Sequence, residues 1–510
     1  SSLVGSEMCI RDSNKGQTTV FFSLIISVLL LFTFTALEVV RIHMSRVKIM
    51  ACVHSMQSGI MADYNRELFE RYHLLFIEPT YGTGSEAAAE ERIKDYLDSS
   101  LNGESVTNKG IYQFEIEEIM LTDQKNILED DMKLLKGQIA DYEKTSGLVN
   151  RIKGLAEKTK QETNNVADAA RETELNGVEL DLLQEDAGEG QSNGRDNGKE
   201  NQREESGVDD PRETLKESLK FGVLAFLMPD SHISKEERDF SNSPSARYKE
   251  EKEEEQDTSF QNIDFLKNII KDASDRDYSD DLKQQAAFVD YVSSNFSNGV
   301  NQREDSVAKC EIEYILKGKT NDYDNLEAVV NEMIWLRMPI NYAYLLTDTE
   351  KKSEALTMAA AICTATGTSG LIEVVKYLLL GCWAYGETLY EMKSLLAGEK
   401  IAYIKTKDSW NTELKKLFSP GKTKQSVNGL DYEAYLMLLL AGRSGDKLNT
   451  AYARMLDMME LNLQKEDSDF YISNCVGQMT IQGKITVNPL FRLMGTEEAY
   501  EYYFEEEIAY

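Results

Sequence analysis

Gly318-Lys319-Thr320 and Gly421-Lys422-Thr423 are the two segments whose residue types approach a phosphate-binding loop. Such a loop wraps phosphate oxygens in backbone N–H groups and needs another glycine five positions earlier. Those positions hold Glu313 and Lys416, so neither segment is expected to cradle phosphate. Gly367-Thr368-Ser369-Gly370 resembles half of a nucleophile elbow, but the Gly-x-Ser-x-Gly spacing is missing and no histidine follows it in the chain. A turn between two helices is the better reading. Asp322-Tyr323-Asp324 has the opening spacing of a calcium loop, yet Glu327 and Met333 stand where the glycine and closing glutamate belong, so helix capping is expected. Carboxylate pairs such as Glu497-Glu498 are too frequent to single out as an acid/base couple. Trp335, Trp383 and Trp410 are expected in the core, with sugar stacking as the secondary reading.

Metal and redox chemistry fare no better. The histidines are His43, His54, His73 and His232. On one helix, His43 and His54 would lie ~16 Å apart at ~1.5 Å per residue, too far to share an ion. No CxxC pair occurs among Cys9, Cys52, Cys310, Cys363, Cys382 and Cys475. The last four can make two disulfides outside the cell or remain buried thiols, and both readings stay open. The residue types therefore point to no catalytic, cofactor-binding or metal residue, and no enzymatic activity is expected.

The elements around these residues begin with an apolar run. Val20 to Leu37 is eighteen residues without a charge, about 27 Å as a helix, which matches a hydrocarbon core. Ser23, Ser27, Thr33 and Thr35 can return their hydroxyls to helix carbonyls. Glu38 follows with no clear small-x-small cleavage site, so an anchor is favoured over a cleaved signal peptide. Residues 2–13, SLVGSEMCIRDS, look like translated adaptor sequence and are set aside, which places a natural junction near Lys15 and divides residues 1–14 from an anchor and flanks over 15–48. From Ile49 onward, Val53, Met56, Ile60, Tyr64, Leu68 and Leu75 recur at helical steps. They predict one stalk from the span to about Phe76, with an apolar face that needs its own domain or a neighbouring subunit.

The fold class expected is mainly α with minor β: a stalk, then a helical distal domain with short antiparallel strands. Residues 49–184 form the membrane-proximal part, with a strand at 111–119 and a polar helical stretch from about Asp123 to Leu183 packed on the stalk as a hairpin. Residues 185–258 read as an acidic linker, because 185–214 has almost nothing apolar to offset its chain entropy. A short apolar helix, 215–228, ends at Pro229 within it, and the EEKEEE block at 250–255 reads as a solvated run. In the distal domain, 259–510, a strand is expected at 310–316, stopping near Gly318. A helix capped by Asn321 or Asp322 should run to about Leu346, kinked or broken at Pro339. Further helices are expected at 349–365, 370–396, 431–442 and 447–463. The apolar Leu371–Leu380 stretch is read as a buried core helix and not a second span. Strands are expected at 470–472, 478–487 and 502–510, with a turn at Gln482-Gly483.

With 88 acidic and 56 basic side chains, the chain carries −32 at neutral pH. Such a surface repels nucleic-acid phosphates and anionic headgroups. Lys15 before the span and Arg41, Arg46 and Lys48 after it favour a cytoplasmic C-terminus by the positive-inside count.

Residues 16–22, GQTTVFF, with the apolar run and Glu38 to Arg41, resemble the N-termini of TadE/TadG-like proteins. The resemblance implies a part in tight-adherence (Flp-type) pilus assembly, with a short cytoplasmic leader and most of the chain outside the cell, opposite to the charge count. Residues 62–68, 81–84, 313–319, 375–380 and 431–436 are similar to an uncharacterised family of anchored Gram-positive bacterial proteins. The departure from pilin-like precursors is Phe21, which stands where a glutamate is expected if Gly16 is the cleaved glycine. The expected function is an anchored extracytoplasmic accessory protein of a pilus or secretion system, with a membrane and protein partners and no nucleic acid. The alternatives are a surface adhesin or ligand-binding protein unrelated to pili, or an extracytoplasmic enzyme.

Overall fold

A computed structural model describes residues 13–80, 85, 87–103, 112–142, 211–212, 222–228, 233–250, 280–403, 405–417, 429–491 and 498–510. The expected adaptor segment apart from Ser13, the 185–214 linker apart from Pro211 and Arg212, and nearly all of the EEKEEE block lie outside these residues, as does Gly421-Lys422-Thr423. The chain divides into two compact units: residues 1–129 with 469–510, and residues 130–468. The fold is α+β, mostly helical, with a three-stranded antiparallel sheet.

In the first unit, α1 (Ser13–Met61) is an unbroken helix of 49 residues. The hydroxyls of Ser23, Ser27, Thr33 and Thr35 all return to carbonyls three or four residues back, so no polar side chain in the apolar run is left bare. The helix does not reach Phe76. It stops at Met61, and Asn65 starts α2 (Arg66–Tyr72) by accepting the Leu68 N–H at 2.9 Å. His73 ends α2 in the left-handed region, and Ile77 then bridges to Val476. Of the helical steps past Met61, Tyr64 thus precedes the second, short helix, Leu68 lies in it and Leu75 follows it.

The face of α1 carrying Ile49, Val53 and Met56 is packed by α3 (Ala87–Asn102) and a sheet of β1 (Phe114–Asn126), β2 (Val476–Val487) and β3 (Tyr500–Ala509). Most of the expected helical hairpin, from 143 onward, lies outside the described residues. The strand expected to end at Ile119 continues to Asn126, because its antiparallel pairing with β2 runs from Phe114 opposite Val487 through Ile116 opposite Ile485 to Asn126 opposite Val476. The expected helix from Asp123 therefore begins only at Glu129, as α4 (Glu129–Tyr142), and the rest of that stretch lies outside the described residues. β2 is central and runs straight through Gln482-Gly483, with no turn. Gly483 is there because the Phe504 ring and the Ile119 methyl occupy the space that a Cβ would take. On the exposed face, Lys484 ties the sheet together by pairing with Glu117 at 2.7 Å and Glu501 at 2.8 Å.

The second unit contains α4 beyond its first residue and nine further helices among the described residues: α5 (Val223–Leu227), α6 (Pro244–Glu250), α7 (Asp280–Asn295), α8 (Glu311–Lys317), α9 (Asp322–Thr347), α10 (Thr349–Thr366), α11 (Ile372–Leu396), α12 (Tyr432–Ala441) and α13 (Asp446–Leu463). Four of the expected helices agree with the observed ones within about two residues at each end. The strand at 310–316 is instead α8, closed by Gly318 in the left-handed region. Its apparent alternation misleads because Glu311 and Glu313 are as buried as Ile312 and Ile315. Pro339 does not break α9, which is a single helix to Thr347. The carbonyl it deprives of a donor is that of Trp335, and both residues face solvent, where water can satisfy it. The segment at 470–472 is not a strand but leads into a 3-10 turn, Ile472–Asn474, with Phe470 and Ile472 buried.

Candidate functional site

Three arrangements combine buried charge with a defined position. The first lies where α1 leaves its apolar run. Glu38 and Arg41, three residues apart and both buried, share a salt bridge in which Arg41 Nε donates to Glu38 Oε1 at 3.0 Å. Arg41 Nη2 also donates to the Asn488 carbonyl at 2.7 Å, and Phe34 stacks on Phe491 at 4.8 Å. Lys48 donates to the Leu101 carbonyl and lies over the rings of Tyr112 and Phe114. Two of the three cations that follow the span are therefore occupied within the first unit. Residues from Val20 to Phe32 are all exposed, and α1 is the one helix among the described residues long and apolar enough to cross a membrane. A signal sequence passes the same test of length and composition.

The second arrangement sits in the helical unit. Arg337 on α9 is fully buried and grips Glu391 on α11 through two bonds, Nη2–Oε1 at 2.7 Å and Nε–Oε2 at 3.1 Å. Its remaining donors reach the carbonyls of Tyr403 (2.7 Å) and Ala402 (3.1 Å). Lys405 bridges Glu391 (2.7 Å) and Glu387 (2.6 Å), and Glu387 accepts the Thr412 N–H and hydroxyl. Asn341 completes the set by donating to Glu391 and Thr388. Two cations face two carboxylates, so no net charge is buried. Burial pushes the Glu391 carboxyl upward, but the Arg337 and Lys405 charges outweigh it and hold that group down to about 2. The network ties the chain between residues 400 and 412 to two helices, and Trp383 and Trp410, in edge contact at 6.0 Å, cover it. Trp335, expected in the core with them, is 56% exposed on the opposite side of α9 from Arg337 and Met333.

The third arrangement surrounds α8. Glu311 accepts from Ser297 N–H (2.7 Å) and Asn462 (2.6 Å), and Asp457 from Ser245 N–H (2.8 Å) and the Tyr314 hydroxyl (2.7 Å). Asp322 is gripped by Arg238 at 2.9 and 3.1 Å. Glu313 Oε1 accepts from Gly299 N–H (2.8 Å) and the Tyr432 hydroxyl (2.7 Å), while Oε2 has no partner among the described residues. Burial pushes the Glu313 carboxyl up to about 7 against the pull of those two donors. These carboxylates act as acceptors that fasten loops onto helices. Glu313 can also exchange a proton near neutrality.

The segments that imitate catalytic motifs have structural uses. Gly318 is the α8 cap, and Lys319 donates its N–H to Asn325. Gly367 caps α10, and Ser369 opens a 3-10 turn into α11, which is the expected turn between helices. Asn321, not Asp322, caps α9 by accepting Asp324 N–H at 2.8 Å. His43, His54 and His73 are exposed and separate, and no metal-holding group of three occurs among the described residues. His232 lies outside them. Cys310, Cys363 and Cys475 are buried thiols, and none of the described cysteines forms a disulfide. The Arg337–Glu391 network had no sequence signal beyond charged residues at apolar helix positions. Glu387 and Glu391, one turn apart in a run of buried residues, were that trace.

Comparison with known proteins gives one positive result. No curated protein matches the chain, and no solved structure does. A family of unknown function, DUF5702, matches residues 200–487, more than half of the chain and including both charge networks of the helical unit. The chain belongs to that family of unknown function, DUF5702.

Proposed function

We propose that the chain is a membrane-anchored, extracytoplasmic accessory protein of a tight-adherence-like pilus or secretion system, acting through protein contacts. The observation that carries the reading is the continuity of α1: one helix presents an exposed apolar half and seats its other half in the core of the first unit. A membrane span built this way fixes that unit at the bilayer surface with no flexible joint between them. The internal use of Arg41 and Lys48 leaves Arg46 as the exposed cation after the span, which weakens the charge count for a cytoplasmic C-terminus. The GQTTVFF segment and its resemblance to TadE/TadG-like N-termini supply the link to pili. Contact, not catalysis, fits a chain whose buried carboxylates are engaged by its own loops, and the −32 charge disfavours nucleic acid as a partner.

Deleting the chain in its native bacterium tests the assignment. The expected result is loss of assembled surface filaments or of the exported cargo, with the level of the unassembled subunits unchanged. Filaments and export at normal levels would overturn the pilus or secretion role.

A further inference from the structure

The described residues of the first unit cover one face of α1. Glu38, Arg41, Ser45, Ile49 and Val53 are buried against it. About 140° around the helix, at ~100° per residue, a second apolar stripe faces outward. Leu37, Val40, Met44 and Val47 are 56%, 59%, 57% and 63% exposed, and Ala51 is exposed after them. The steps are three, four, three and four, and the same steps run back through Thr33, Leu30 and Ile26 into the apolar run. This is the spacing of a two-helix seam, and it crosses from the span into the following segment without a break.

We propose that α1 pairs in parallel with α1 of a second copy of this chain along the seam from Leu37 to Ala51. The inference rests on the anchoring proposed above, which gives both copies the same orientation. Lipid does not account for the stripe. Val20 to Leu37 already spans ~27 Å, and Val47 lies another ~15 Å along the helix, beyond the hydrocarbon core. Apolar side chains in that position call for a partner. A second copy fits because a seam with this spacing is complementary to itself. Charge does not oppose the pairing: α1 has no carboxylate from Val39 to Met61, and the Arg41 and Lys48 charges in that stretch are bonded within their own unit. Arg46 and His43 lie off the seam.

Single cysteines at positions 40, 43, 44, 46 and 47, in the full chain with Cys9 and Cys52 replaced by serine, would be oxidised in native membranes with copper phenanthroline. Dimers are expected to form several-fold faster at 40, 44 and 47 than at 43 and 46. Uniform or absent cross-linking overturns the pairing, and uniform cross-linking that falls as the chain is diluted in the membrane shows lipid on the seam instead. Met44→Lys keeps a good helix former at an exposed site, so the fold should survive, with tryptophan fluorescence unchanged. Light scattering in mild detergent should show the wild-type chain as a dimer and this variant as a monomer. A monomeric wild type still retained in the membrane fraction removes the pairing and leaves the anchor standing. A chain recovered without residues 13–37 removes the anchor, and the parallel pairing with it.

Discussion

Replacing Arg337 by methionine should destabilise the helical unit by about 3–5 kcal/mol, because Glu391 would then be left buried without its main partner. The guanidinium makes two bonds to that carboxylate and two to the carbonyls of Ala402 and Tyr403, and both side chains are fully buried. Lys405 alone cannot replace it, since its ammonium already serves Glu387 as well. Urea unfolding of the detergent-solubilised chain, followed by tryptophan fluorescence, measures the loss. The signal is local: Trp383 donates to Thr412 at 3.1 Å and Trp410 packs beside it, so both report on the residues that the network fastens down. Pairing Arg337→Met with Glu391→Leu should recover part of the loss, because the orphaned charge is then gone and Lys405 keeps Glu387. A single variant as stable as wild type would mean that the network contributes no net stability.

The second large effect is on pH dependence. Burial raises the Glu313 carboxyl to about 7 in the folded chain, against an ordinary value of 4.5. Between those two values the folded chain holds a proton that the unfolded chain has released. Raising pH through that window therefore favours unfolding, and stability should fall by roughly 3 kcal/mol from pH 4.5 to pH 7, then level off. Asp322, Cys310 and Tyr432 face the group, and none is a cation that would reverse the sign. Glu391 works in the opposite direction. Its carboxyl is held down to about 2, so the stability it contributes is present above 4.5 and is lost as pH falls from there toward 2. Other carboxylates in so acidic a chain also titrate, which makes the difference between wild type and Glu313→Gln the informative quantity. The variant should match wild type near pH 4.5 and exceed it at pH 8. Parallel curves for the two proteins would show that Glu313 ionises normally in the fold.

Most helix boundaries could be read from the sequence because their signals are local. Asp348, Gly367 and Asp431 are caps that act within four residues, and they bound helices whose apolar faces are regular. The apolar span was equally plain. What could not be read depends on partners far along the chain. β1 pairs with β2 across more than a third of a thousand residues of chain, as in Phe114 with Val487, so nothing near residue 114 announces that the last strands join the N-terminal unit. Gly483 looks like a turn until Phe504 is found lying over it. The α8 segment reads as a strand because Glu and Ile alternate, and the alternation loses its meaning once four carboxylates, Glu311, Glu313, Asp322 and Asp457, are inside. The same distance hides the charge networks: Arg337, Glu391 and Lys405 are unremarkable one by one. The apolar faces of α1 were only half legible. Steps of three and four predicted a packed helix, but not that two separate faces would share it.

Under the function proposed above, α1 is retained as an anchor and holds the rest of the chain outside the cell. The most direct test places one accessible cysteine at the exposed position Ser353, in a chain carrying Cys9→Ser, Cys52→Ser and Cys382→Ser. Intact cells are treated with a membrane-impermeant maleimide, and their membranes are then washed with alkaline carbonate. Labelling before lysis is expected, with a labelled chain that stays in the washed membrane. Labelling only after lysis, or release of the chain into the wash, would contradict the proposed function.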